Sequence, residues 1–100
     1  LLVLFADQNR NFIREEELGI GNSWTVAVRP RVLFGRALAL DSRSILLVHN
    51  HPSGDARASE CDISSMARLV VLARQLDISI IDHLIVGSSQ IFSMKKDRKW

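Results

Sequence analysis

The sequence lacks several features that define whole classes of protein. It has a single cysteine, Cys61, so no disulfide can form within the chain, which points to a reducing, cytoplasmic setting. No apolar run approaches the roughly 20 residues of a membrane-spanning helix, and no signal peptide is visible, so no membrane partner is expected. Internal repeats, low-complexity segments and linkers are absent too. What remains is the composition of an ordinary globular domain, with 47% hydrophobic and 24% charged residues.

An excess of one charge is also absent. The chain has 13 Lys and Arg against 11 Asp and Glu, a formal net charge of +2. The one tight basic cluster, residues 95–99, has the composition of a solvated tail. Nucleic acid is therefore a weakly supported partner that the charge does not require.

The length and the hydrophobic pattern predict one small α/β domain over residues 1–100. The chain begins inside an apolar run and not on Met, so we expect a segment of a longer protein. Alternation of strands with helices predicts a mixed sheet covered by helices, in the order β-β-α-β-α-β-β. The predicted strands cover 1–6, 12–18, 44–48, 78–86 and 91–94. The first predicted helix starts at Pro30, and its apolar stripe consists of Val32, Leu33, Ala37 and Leu40. The second covers 59–76, and its helical repeat consists of Ile63, Met66, Ala67, Val70 and Arg74, widened by Leu69 and Ala73.

Two histidines stand two residues apart at the end of a predicted strand. Residues i and i+2 of a strand share a face, so His49 and His51 can converge on one metal ion. By themselves they are a weak signal, and an ordinary pair of loop histidines is the preferred interpretation. Asp62 lies in the first turn of the next predicted helix, and Pro52 and Gly54 allow the connecting loop to fold back. Two imidazoles and one carboxylate leave one position of a tetrahedral zinc open, which is typical of a catalytic site.

Neighbouring residues have competing interpretations. Ser59 and Asp62 fit the capping-box pattern S-x-x-D, so they could simply cap the helix, although the serine could also face the site. Cys61 points about 100° away from Asp62 on a helix, which favours a buried thiol over a ligand. His83, inside an apolar strand, is either a third imidazole ligand or a hydrogen-bonded core or supporting histidine, and Asp82 could orient a neighbour.

A metal-activated water needs a base, and the second predicted strand carries Glu15, Glu16 and Glu17. A solvated acidic patch is the structural alternative. Strand alternation places Glu16 on one face with Phe12 and Leu18, which gives only a slight preference for Glu16.

The assembled residues resemble a known motif. His49-Asn50-His51-Pro52, six residues, Ser59, two residues and Asp62 reproduce H-x-H-P-x6-S-x2-D, the JAMM (MPN+) metalloprotease motif, without a gap. The segments His-Asn-His-Pro-Ser-Gly (49–54) and Asp-His-Leu-Ile-Val-Gly (82–87) are similar to the RadC family of bacteria, and the resemblance covers nearly the whole chain.

This resemblance implies a cytidine-deaminase-like α/β fold, a three-layer JAB/MPN sandwich in which helices flank a mixed sheet around a bound zinc ion. Carried over by position, it makes His49, His51 and Asp62 the zinc ligands. It makes Glu16 the general base, and Ser59 the residue that polarises the scissile carbonyl and holds the developing oxyanion. Asn22 stands where the family usually has Thr or Ser, so the register of Glu16 depends on counting back from Gly21 and Pro30.

The leading hypothesis is a JAMM-type zinc hydrolase in which metal-activated water attacks a peptide or isopeptide bond of an unknown protein substrate. A DNA-associated or DNA-repair module is the alternative, motivated by the basic bias and by the name that has travelled with the family. A protein-interaction domain with a degenerate site is a third, against which the intact ligand set counts. Exposed strands near the termini are compatible with a homodimer.

Overall fold

A computed structural model describes residues 1–21, 26–51 and 60–96, with the backbone alone at 20–21, 26–27 and 60–62. The order of strands and helices expected from the sequence is confirmed in this part of the chain, with two short strands added before the first helix. The strands are β1 Leu2–Ala6, β2 Phe12–Glu17, β3 Ile20–Gly21, β4 Val26–Ala27, β5 Ser44–Asn50, β6 Ser79–Val86 and β7 Ile91–Ser93; the helices are α1 Pro30–Ala39 and α2 Glu60–Gln75.

The main sheet is mixed and has the strand order β2-β1-β5-β6-β7. The apolar strand β5 lies at its centre, antiparallel to β1 and parallel to β6. Its side chains alternate between buried and half-exposed because one face is covered by helices. The acidic strand β2 lies at an edge, where charged side chains reach water and discourage pairing with another chain.

The core lies on one face of this sheet. Val3, Phe5 and Ile45 are fully buried there, in one cluster with the buried residues of both helices. The opposite face carries Leu4 and Leu46, which are only partly buried. Both described helices therefore pack on the same face, and the described residues form two layers. The mixed sheet with helices is confirmed, whereas these residues do not build the third layer of the expected sandwich.

The helices bury narrower stripes than the sequence pattern predicted. In α1 the side chain of Val32 is 45% exposed, and Phe34 is buried in its place. In α2 the seam runs through Met66, Leu69 and Ala73, while Ala67 is exposed. The spacing of 66, 69 and 73 is the i, i+3, i+7 repeat of a helix that touches its neighbour along one line. None of the helices described is long and apolar enough to cross a membrane.

The turn that joins β1 to β2 is organised by Asp7. Its carboxylate accepts hydrogen bonds from the backbone N–H groups of Asn9 and Asn11, each at 2.9 Å. These bonds lower the pKa of Asp7 below its ordinary value, the bond from Asn11 most, because they favour the charged form. Arg10 takes a positive φ of 64° within the turn. The turn closes a hairpin that places β2 beside β1.

Replacement of Leu47 by alanine should strongly destabilise the domain, because this central-strand residue is only 1% exposed. We expect a loss of about 2–5 kcal/mol in the free energy of unfolding, measured by urea denaturation. Ile91→Ala, at a site that is 65% exposed, is the matched control and should cost far less. Similar losses in the two variants would contradict the assignment of the core.

Candidate metal centre

His49 and His51 lie together at the carboxyl end of β5. His49 is the penultimate residue of the strand and 2% exposed, and His51 follows the strand and is 6% exposed. The intervening Asn50 is exposed, so the two imidazoles share the inner side of the chain. Their ring centroids are 4.5 Å apart with the planes at 86°. The backbone N–H of His51 donates to the carbonyl of Val86 at 3.0 Å, which continues the pairing with β6 and fixes this end.

His83 is the third histidine of the cluster. It lies in β6, is 6% exposed, and its ring centroid is 5.6 Å from that of His49 with the planes inclined by 31°. A register shift between Ile45 and Leu46 brings it to this face, because His83 then pairs with Leu47. Three buried imidazoles therefore lie next to one another. The choice between ligand and supporting residue for His83 stays open.

Asp62 is the third residue of α2, the helix that follows the histidine strand. A carboxylate in a first turn is favoured by the positive end of the helix dipole. The backbone is described at this position and the side chain lies outside the described atoms, as it does for Cys61. Ser59, the expected oxyanion residue, lies outside the described residues. Their roles stay predictions.

Glu16 lies on the same sheet face as the histidines. It pairs with Val3 of β1, which pairs in turn with Leu47, two residues before His49. Directly paired residues of neighbouring strands project to the same face. With strands about 4.8 Å apart and about 3.4 Å per residue, the Cα atoms of Glu16 and His49 are separated by roughly 12 Å. This spacing allows the two side chains to approach one small molecule from either side.

The face assignment predicted for β2 was partly wrong. A β-bulge shifts the register so that Phe12 pairs with Ala6 while Arg14 pairs with Phe5. The extra residue reverses the alternation, so Phe12 does not share the face of Glu16. Leu18 packs against the core, on the side of Glu16 as expected.

Among the three glutamates of β2, Glu16 alone is partly buried, with a side chain that is 15% exposed. Arg36 of α1 donates to both of its oxygens, Nε to Oε1 at 2.8 Å and Nη2 to Oε2 at 2.7 Å. Arg14 lies 3.2 Å from Oε2. The hydrogen bond from Arg36 is the main reason that the pKa of Glu16 is below its ordinary value. Arg36 was not predicted from the sequence, because an ion pair between a helix and a strand leaves no local pattern.

Asp82 has a structural role in the described part of the chain. Its Oδ1 accepts the backbone N–H of His83 at 2.7 Å and that of Lys95 at 3.1 Å, and its Oδ2 accepts the hydroxyl of Ser93. These bonds tie β6 to β7 and to the turn after it. Asp82 thus contacts its neighbour His83, as expected, through the backbone N–H of that residue.

The donor chemistry fits zinc, which takes nitrogen from histidine and oxygen from carboxylates. Two of the three expected ligands, His49 and His51, are described and adjacent. Within the described ranges no group of three His, Cys, Asp or Glu side chains is placed to hold a metal. The third expected ligand is Asp62, whose side chain is not among the described atoms.

Comparison with known proteins identifies the class as a JAB-type α/β domain. The family model of the RadC-like JAB domain matches residues 1–100, and the chain belongs to this family. A UPF0758 protein of Methanococcoides burtonii is 40% identical over 97 residues, covering 97% of this chain and 42% of that protein. UPF0758 protein YfjY of Escherichia coli K12 is 39% identical over 92 residues, covering 92% and 58%.

A UPF0758 protein of Alkaliphilus oremlandii is 36% identical over 96 residues, covering 96% of this chain and 41% of its own length. The chain thus spans about two-fifths to three-fifths of these curated relatives. The resemblance read from the sequence is confirmed at the level of the family. JAB domains include metallohydrolases and often bind zinc.

The ion pair of Glu16 predicts a pH-dependent contribution to stability. Because the folded pKa is lowered, the stabilisation is present above the unfolded pKa of about 4.3 and is lost as the pH falls through the folded pKa. Glu16→Gln should therefore be less stable than the parent at neutral pH, and the difference should shrink on acidification. Urea unfolding across this pH range measures it.

Glu15→Gln removes the same charge from an exposed neighbour and serves as the control. Equal effects of the two substitutions at every pH would show that the Arg36 pair contributes nothing specific.

Proposed function

We propose that this domain is a JAMM-type zinc hydrolase that cleaves a peptide or isopeptide bond. The observation that carries the proposal is the pair of buried imidazoles, His49 and His51, held edge to face at the carboxyl end of β5. Helix α2 follows this strand and carries Asp62 in its first turn. Ligands in an α/β domain commonly bind at the carboxyl ends of parallel strands, and β5 pairs in parallel with β6.

In this proposal His49, His51 and Asp62 hold the metal. Bound there with one open position, zinc would lower the pKa of a coordinated water to about 7 and polarise a carbonyl. The two imidazoles are largely shielded from solvent, where electrostatic interactions are stronger than in water. His83, packed beside His49, would limit the movement of that ring.

Glu16 is the proposed general base. It is the partly buried glutamate of β2 and lies on the histidine face. Its carboxylate would take the proton from the attacking water and deliver it to the leaving amine. Ser59 would donate to the carbonyl oxygen as negative charge develops there. The domain spans only part of its relatives, so the substrate of the whole protein is left as an unidentified peptide or protein.

A DNA-associated role is the second candidate. Its support is the net charge of +2 and the basic cluster of residues 95–99, in which four of the five residues are Lys or Arg. Binding to duplex DNA that weakens steeply with added salt would favour it, and the absence of binding at low salt would remove it.

The first prediction of this proposal concerns the metal itself. Protein prepared without chelators should contain one zinc per chain, measured by elemental analysis. His49→Ala, His51→Ala and Asp62→Ala should each lose it, because each removes a ligand. Zinc at about 100 times its dissociation constant should stabilise the parent by about 2.7 kcal/mol, and the variants much less.

Asp77→Asn removes the charge of an exposed aspartate beyond the end of α2 and is the control for Asp62→Ala; asparagine tolerates the positive φ of 56° at this position. His83→Phe separates the two interpretations of His83, since a supporting residue can be replaced without loss of stoichiometric zinc. Zinc retained by His49→Ala would rule out the proposed centre.

The second prediction concerns catalysis. Glu16→Gln should retain stoichiometric zinc and lose about 10²- to 10⁴-fold of its hydrolytic rate, because it keeps the shape of the side chain and loses the base. The assay is cleavage of a panel of peptides and isopeptide-linked conjugates by zinc-loaded protein. Glu15→Gln is the control on the same strand. An unchanged rate in Glu16→Gln would reassign the base and leave the metal centre untouched.

A further inference from the structure

The Glu16 carboxylate is held in a way that conflicts with its use as a base. Arg36 presents two N–H donors in the fork geometry that matches a carboxylate, at 2.8 and 2.7 Å. Both oxygens of Glu16 are engaged at once. A proton that arrives on either oxygen from the side of the guanidinium has to displace one of these donors.

The charged groups around Glu16 in the described structure are both arginines. Arg36 approaches from α1 and Arg14 lies on the same strand, 3.2 Å from Oε2. The residue that pairs with Glu16 on β1 is the apolar Val3. Glu15 and Glu17 pair with β1 residues that belong to the opposite face, so they project away from it. No acidic side chain among the described residues thus offsets the two positive charges.

We propose that Arg36 is a positioning residue that clamps the Glu16 carboxylate, and that Glu16 serves as the base only when this clamp opens. The role of Glu16 as a base rests on the proposed function, whereas the clamp by Arg36 rests on the geometry alone. The side chain of Arg36 is 39% exposed and lies in the last turn of α1. Because the guanidinium is partly exposed, water and salt screen the ion pair, so opening it is within the reach of thermal motion or of a bound ligand.

The clamp has a direct chemical consequence. Proton transfer is most effective when the pKa of the base lies near the working pH, and a bound guanidinium moves a carboxylate away from that range. Removal of Arg36 should therefore make Glu16 more basic. It should also free the carboxylate to turn toward the histidines on the same face.

Carbon-13 NMR of the glutamate side-chain carboxyls tests the clamp without any substrate. The titration of Glu16, assigned with Glu16→Gln, is followed in the parent, in Arg36→Gln and in Arg36→Lys. We expect the Glu16 midpoint to rise clearly in Arg36→Gln and less in Arg36→Lys, which keeps the charge and loses the fork. Arg68→Gln, an exposed arginine of α2, is the control and should leave the midpoint in place.

The same variants, loaded with zinc to equal stoichiometry, are then compared with the parent on the peptide and conjugate panel at neutral pH. We expect Arg36→Gln to be several-fold faster, with the acidic limb of its pH profile displaced upward. An unchanged Glu16 titration in Arg36→Gln would overturn the clamp. A raised titration with a slower reaction would overturn it as well, since Arg36 would then be required for the productive position of Glu16.

The two proposals fail in distinguishable ways. If no protein cleaves any substrate while zinc is fully bound, the hydrolase proposal fails. The NMR titration still decides whether Arg36 governs the ionisation of Glu16.

Discussion

The parallel pairing of β5 with β6 is the constraint on which the rest of the molecule depends. It places β5 at the centre of the sheet, where antiparallel pairing with β1 completes its hydrogen bonding. A parallel connection requires a crossover, and α2 supplies it on the face where Ile45 and Leu47 are buried. The pairing continues past the end of the strand through the N–H of His51. The same backbone interaction that builds the core therefore fixes the position of the histidine pair.

Most of this architecture follows from local patterns in the sequence. The apolar run of β5 and the proline at the start of α1 are local signals, and both elements form as predicted. The faces of β2 and β6 were harder to predict, because a register shift interrupts the alternation of side chains in each pairing. One reverses the side of Phe12, and the other turns His83 toward His49. A bulge depends on how two strands meet, so a period of two along one strand cannot reveal it.

The residues of the candidate centre also differ in how far local patterns in the sequence could predict them. The spacing of His49 and His51 within one strand predicts their proximity, and the rings do lie edge to face. Asp62 depends on the path of a loop, and its membership of the ligand set comes from an ungapped motif and not from strand geometry. Arg36 could not have been found from the sequence, because it meets Glu16 across twenty residues and two elements. Contacts between elements depend on packing, which local propensity does not encode.

The position of Arg36 joins stability to the proposed chemistry. An ionised carboxylate that is only 15% exposed needs a partner, because burial alone disfavours the charged form. Arg36 supplies that partner and ties the edge strand β2 to α1. A base, however, is useful only if it can receive a proton, and the same fork makes that harder. Under the proposed function, two opposed requirements act on one carboxylate: the fold favours its paired, charged form, and the proposed reaction requires its release. In this proposal, the partial exposure of Arg36 weakens the ion pair enough for one side chain to meet both.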